Sequence, residues 1–126
     1  MALTAQIDGK DFGCSTAHIQ ATAAVIREVI KAASGTIYAI SVSNTNATVY
    51  YAQIFNLATP PVASDGTGFM FSIPIPANTA VGGREMGIPV KGIGCPDGIA
   101  IKICGGGAGN DNSVAATGVT VTVFYR

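Results

Sequence analysis

Apolar and polar residues alternate along most of this chain, and a period of two is the mark of strands half-buried against a core. In 36–44, Ile37, Ala39, Ser41 and Ser43 oppose Tyr38, Ile40 and Val42. In 47–56, Val49, Tyr51, Gln53 and Phe55 oppose Tyr50, Ala52 and Ile54. In 99–104, Ile99, Ile101 and Ile103 point inward against Ala100, Lys102 and Cys104. In 117–126, Val119, Val121, Val123 and Tyr125 face away from Thr120, Thr122 and Phe124. This alternation makes Ile37, Val49, Tyr51, Phe55, Ile101, Val121 and Val123 the expected core.

Other segments carry weaker signals. FMFSIPIP (69–76) holds two prolines, which cannot donate to a ladder, so it reads as an edge strand or the start of a loop. REMGIPVKG (84–92) is a short strand broken by Gly87 and Pro89, and Cys95-Pro96-Asp97-Gly98 is a turn. Residues 21–33 fit two templates. Val25, Ile26, Val29 and Ile30 share one helical face, yet all four are β-branched, and strand is the reading adopted here. Residues 1–20 show no clear period and read as an N-terminal arm or irregular segment that lies on a neighbour, leaving 21–126 as the domain. Loops at 57–68 and 105–113 are long and polar. The expectation is an all-β, single-domain β-sandwich or small barrel of about seven or eight short antiparallel strands.

Composition narrows the functional classes. Hydrophobic residues make up 48% of the 126 and charged residues 11%, against an average of about 25% charged. Seven Lys/Arg balance seven Asp/Glu. A neutral chain without a basic run is not built to coat phosphates, so no nucleic-acid partner is expected. No apolar run approaches the roughly 20 residues of a membrane helix, and the first residues lack the basic and apolar regions of a secretory signal. Solubility must rest on 12 Thr, 7 Ser and 6 Asn. Low charge also weakens repulsion between copies, which favours an oligomer or a larger assembly.

Candidate chemistry is sparse. The one histidine, His18, stands four residues from Cys14, a spacing that would suit a helix in a segment with little helical character. Cys14, Cys95 and Cys104 form no C-x-x-C pair and read as small buried hydrophobes. The carboxylates Asp8, Asp11, Glu28, Asp65, Glu85, Asp97 and Asp111 sit mostly in turns, where Asp caps backbone. Gly105–Asn112 invites a phosphate or calcium reading but has no Gly-Lys-Ser/Thr after it and one carboxylate; it reads as a wide inter-strand loop. Asn46-Ala47-Thr48 matches a glycosylation sequon and reads as a turn. No catalytic residue, metal ligand or cofactor is expected, and the chain is not read as an enzyme.

Three runs carry a resemblance: GTIYAISVSNTNATVYYAQIFNLATPP (35–61), FSIPIPA (71–77) and GIAIKICGGGAGNDNSVAATGVTVTVFYR (98–126). Together they resemble small virion proteins of tailed bacteriophages, over roughly residues 30–126. The first 20 residues and the Gly94-Cys95-Pro96 turn stand outside it. The resemblance implies a jelly-roll-like fold and a capsid decoration (cement) protein on the virion surface, made in the host bacterial cytoplasm. Its partners would be the major capsid protein and copies of itself, with a trimer suggested by capsid symmetry. It carries over no active-site residue. Partner contacts are expected from Phe12 and His18 and from the edge segment Phe69, Met70 and Phe71. The alternative is a receptor-binding or fibre-tip module that recognises host glycans through the two long loops.

Overall fold

The computed structural model describes residues 14–78, 84–87, 92–115 and 117–126. Nine strands run through them: β1 Ser15–Gln20, β2 Ile26–Lys31, β3 Gly35–Asn44, β4 Tyr50–Phe55, β5 Phe69–Ile75, β6 Arg84–Gly87, β7 Ile93–Cys95, β8 Ile99–Cys104 and β9 Val119–Tyr125. The front sheet has the order β1-β9-β3-β6, with β7 sharing the same edge of β3 as β6. The back sheet has the order β2-β8-β4-β5. Every pairing is antiparallel. Counting β6 and β7 as one interrupted strand, each sheet has four positions. The chain crosses between sheets in the order of two interlocked Greek keys, which is the jelly-roll topology.

The segment 21–33 does form a strand, β2, at one edge of the back sheet. The proline-bearing strand β5 is the other edge, and Pro74, which has no N–H to give, is exposed there. Strand β9 lies between β1 and β3, as its alternation requires. The N-terminal boundary needs correction. Ser15–Gln20 is a strand of the sandwich, paired along its length with β9, and not part of an arm. The sandwich therefore begins before residue 21. Residues 1–13, the rest of the expected arm, lie outside the described residues, as do 88–91 of the broken strand.

The core between the sheets is built of β-branched side chains: Ile37, Ile40 and Val42 from β3, Val119, Val121 and Val123 from β9, and Ile99, Ile101 and Ile103 from β8. Their alternation holds within each strand except where an extra residue intervenes. Ile37 and Ile40 both reach the core because the β3–β9 register shifts between Ile37 and Ala39, leaving Tyr38 as a bulge. Strand β4 presents the opposite face from the one expected. Ala52 and Ile54 enter the core with Tyr50 packed beside them, while Val49 is 38% exposed and Tyr51, Gln53 and Phe55 point away. Phe55 is fully buried all the same, on the outer side of the back sheet.

One buried polar residue ties the two sheets together at the turn after β3. The Asn44 amide donates to the carbonyls of Thr48 (2.8 Å) and Ile75 (3.4 Å), and its oxygen accepts from the Asn46 N–H (2.8 Å). Asn46 in turn donates to the Thr117 carbonyl, so the sequon asparagine is occupied in holding its own turn. Gly118 closes this corner at a φ of 85°, where an added Cβ would also strike the Thr45 hydroxyl. Asn44→Ala removes the amide that bonds the Ile75 carbonyl in buried surroundings and the Thr48 carbonyl nearer the surface. It is expected to lower the unfolding free energy by about 2 kcal/mol, to be read by urea denaturation.

Candidate functional site

The two outer faces of the sandwich are unlike. The back sheet's outer face is covered by the chain itself. The Gln53 amide donates to the carbonyls of Gly106 (2.9 Å) and Ala108 (2.6 Å), and the Lys102 ammonium donates to those of Gly109 (3.0 Å) and Ala63 (3.4 Å). Gln53 and Lys102 stand directly opposite each other on β4 and β8. They hold down both long loops, 57–68 and 105–113, and the Arg27 guanidinium adds a bond to the Pro61 carbonyl (3.2 Å). Beneath the loops, the Lys102 ammonium lies 5.4 Å from the centre of the Phe55 ring, and Phe69 meets Phe55 edge-on at 5.7 Å.

The glycines of 105–109 let this closure happen. A Cβ on Gly109 would come within 2.6 Å of the Phe69 ring, so a side chain there would lift the loop. The loop is thus a fitted cover rather than a wide span between strands. The Asp111 carboxylate accepts from the Ser113 hydroxyl and N–H, which holds it below the usual carboxylate range. A calcium ion is disfavoured beside Gly109 and Ala63, because an ammonium already takes those carbonyls. The other described aspartates also serve turns: Asp65 accepts from Thr67, and Asp97 bonds Asn56 from both its N–H and its carboxylate.

The front sheet's outer face carries no such cover among the described residues. Three rows cross β1, β9 and β3: Gln20, Thr120 and Ser43; His18, Thr122 and Ser41; Thr16, Phe124 and Ala39. All nine side chains are at least partly exposed, and only the histidine ring can carry a charge. His18 Nδ1 meets the Thr122 hydroxyl at 2.8 Å, and the Ser43 and Thr120 hydroxyls share a short hydrogen bond.

The residues expected to touch partners do not gather on one surface. His18 is exposed on the front face. Phe69, at 36% exposure, belongs to the cluster over the back sheet. Met70 and Phe71 pack against the core, with the Cys95 thiol 3.7 Å from the Met70 sulfur. Phe12 lies outside the described residues. All three cysteines are free. Burial pushes the Cys95 and Cys104 thiols up, which makes them poor nucleophiles. Among the described residues, no three of His, Cys, Asp and Glu come together as a metal site, and no helix is long and apolar enough to cross a membrane.

A shallow cleft of about 410 Å³ opens at one end of the sandwich, where β2 passes into β3 beside β7 and the end of β9. Lys31, Ser34, Thr36, Tyr38 and Arg126 supply its polar side chains. Sequence alternation did not single them out, because Arg126 and the 94–96 turn meet residues 31–38 only once the jelly roll is closed.

The fold and its faces define an all-β jelly-roll module whose back sheet is covered by its own loops and whose front sheet is bare among the described residues. No family model matches the chain, and neither a curated protein nor a solved structure matches it at a significant level.

Proposed function

We propose that this chain is a structural protein of a bacteriophage virion, a decoration protein that binds the outside of the capsid lattice and stabilises it. The observation that carries the reading is the front face: three ordered rows of mostly hydroxyl-bearing, uncharged side chains on a paired, rigid sheet. Across β1, β9 and β3 such a face can form many hydrogen bonds to a neighbour without stripping water from full charges, which is the costly step in burying ions; Glu85 of β6, opposite Ser41, stands at its edge. Small affinities at one site add up when the same contact repeats across a lattice or within an oligomer. The resemblance of 35–61, 71–77 and 98–126 to phage virion proteins supplies the particle. The two long loops on which the glycan-binding alternative relies are pinned to the back sheet by Gln53 and Lys102, with most of their residues exposed.

The partners on this reading are the major capsid protein and further copies of the chain, with threefold lattice positions favouring a trimer. Cosedimentation with heads of the encoding phage that lack the protein tests it. Saturable binding, lost in Thr122→Lys while the melting temperature holds, is the expected result. A monomer by light scattering that ignores such heads refutes the reading.

A further inference from the structure

We propose that the end cleft is a binding site for a carboxylate-bearing saccharide of the uronic or sialic acid type. The cleft is lined by two cations, Lys31 and Arg126, and three hydroxyls, Ser34, Thr36 and Tyr38. None of these five side chains has a hydrogen bond or ion pair with another described residue. The contrast with the covered sheet is sharp, since there Lys102, Gln53 and Asp111 all bond their own loops.

The cations are brought together by the fold. In β2 the register shifts between Val29 and Lys31, so that Ile30 joins the core edge while Lys31 stands opposite Ile99 at the strand's end. The Lys31 stem then lies over Gly35: a Cβ on that glycine would be 3.0 Å from Lys31 Cδ and 2.9 Å from the Arg126 carbonyl oxygen. That oxygen accepts from the Thr36 N–H at 2.9 Å, which fixes the end of β9 beside the start of β3. The Lys31 stem and the Arg126 backbone therefore both approach one glycine. A lysine and an arginine lining one cleft suit a carboxylate, which a guanidinium can grip in two-point fashion.

The rest of the lining selects for a sugar acid over an apolar anion. Aside from Cys95 and Pro96, the walls offer hydroxyls, glycine backbone and the Tyr38 ring, with no aliphatic pocket. Vicinal hydroxyls of a sugar match Ser34, Thr36 and Tyr38, which serve as both donors and acceptors. The cleft's size is within the range of small-molecule sites. Gly94 leaves room on the β7 side, since a Cβ there meets nothing within 4 Å. The site is separate from the front face and does not depend on the capsid reading.

The test uses the isolated protein and isothermal titration with glucuronate, N-acetylneuraminate, glucose, acetate, inorganic phosphate and a short glutamate-containing peptide. At least one sugar acid is expected to bind about tenfold or more tighter than glucose and acetate, since one charge-assisted contact carries that ratio. Lys31→Gln and Arg126→Gln are each expected to weaken it by about tenfold with melting unchanged. Gly94→Glu, which puts a carboxylate into the open space, should abolish it. Three results overturn the proposal: both sugar acids no tighter than glucose, phosphate or the peptide binding as tightly as the better sugar acid, or affinity unmoved by all three variants. Phosphate would mark a plain anion patch, and the peptide a protein partner. Loss of capsid binding with sugar binding retained would remove the virion reading and leave this site standing.

Discussion

Phe55→Ala is expected to lower the unfolding free energy by about 3–5 kcal/mol, as for other fully buried phenylalanines. The ring has no exposed surface and is held between the Lys102 ammonium and the edge-on Phe69 ring. Removing it empties the space under both covering loops and strips the ammonium of its aromatic face. The effect should be larger in the loops than in the sandwich, because Phe55 stands outside the core between the sheets. Limited proteolysis should therefore cut within 57–68 and 105–113 before the sheets unfold. Val49→Ala is the control. Val49 precedes β4 at the same parity as Phe55 but is 38% exposed, and its replacement should change stability by no more than about 0.5 kcal/mol. Equal losses in the two variants, or loops in Phe55→Ala as resistant as in the wild type, would contradict this placement.

The same pair of residues shows what alternation can and cannot reveal. The period of two in 47–56 located β4 correctly, but both faces of that strand are apolar enough to be core. Only the loops decide that Phe55 is covered and Val49 is not, and loop trajectories leave no periodic trace. In β8 and β9 the inward face was legible because the other face carries Lys102 or three hydroxyl and aromatic positions. Prolines marked β5 as an edge, since a missing N–H is a local property. The bulges at Tyr38 in β3, Ile30 in β2 and Met70 in β5 were hidden, because each changes parity by one residue without a compositional signature. Pairing of β1 with β9 was hidden as well: Ser15 meets Tyr125 across almost the whole chain. The end cleft was invisible for the same reason, while His18 and Phe69 were legible as residues but not as belonging to opposite faces.

Lys102 yields the other large effect, and its sign depends on pH. Lys102→Ala removes a fully buried stem and the donor that two loop carbonyls share, and a cost of about 2–5 kcal/mol is expected. Lys102→Met keeps most of the stem and isolates the ammonium. Burial draws the lysine below its ordinary value of 10.5 in the folded chain, with Cys104 and Asp111 pulling the other way. Below the folded value, the lysine is protonated in both states and the folded protein bears the full cost of dehydrating the charge. Between the folded value and 10.5, the unfolded chain binds more protons than the folded one, so stability from this group rises with pH. The difference in unfolding free energy between wild type and Lys102→Met should therefore move in favour of the wild type as pH climbs towards 10.5. Paired urea titrations across that window read it, and titrating groups that do not interact with Lys102 cancel because both proteins carry them. A difference that moves the opposite way would mean that the carbonyls of Ala63 and Gly109 and the Phe55 ring more than offset the lost water. In that case the ammonium would itself be the clasp that keeps the back sheet covered, and acid rather than alkali would tighten it.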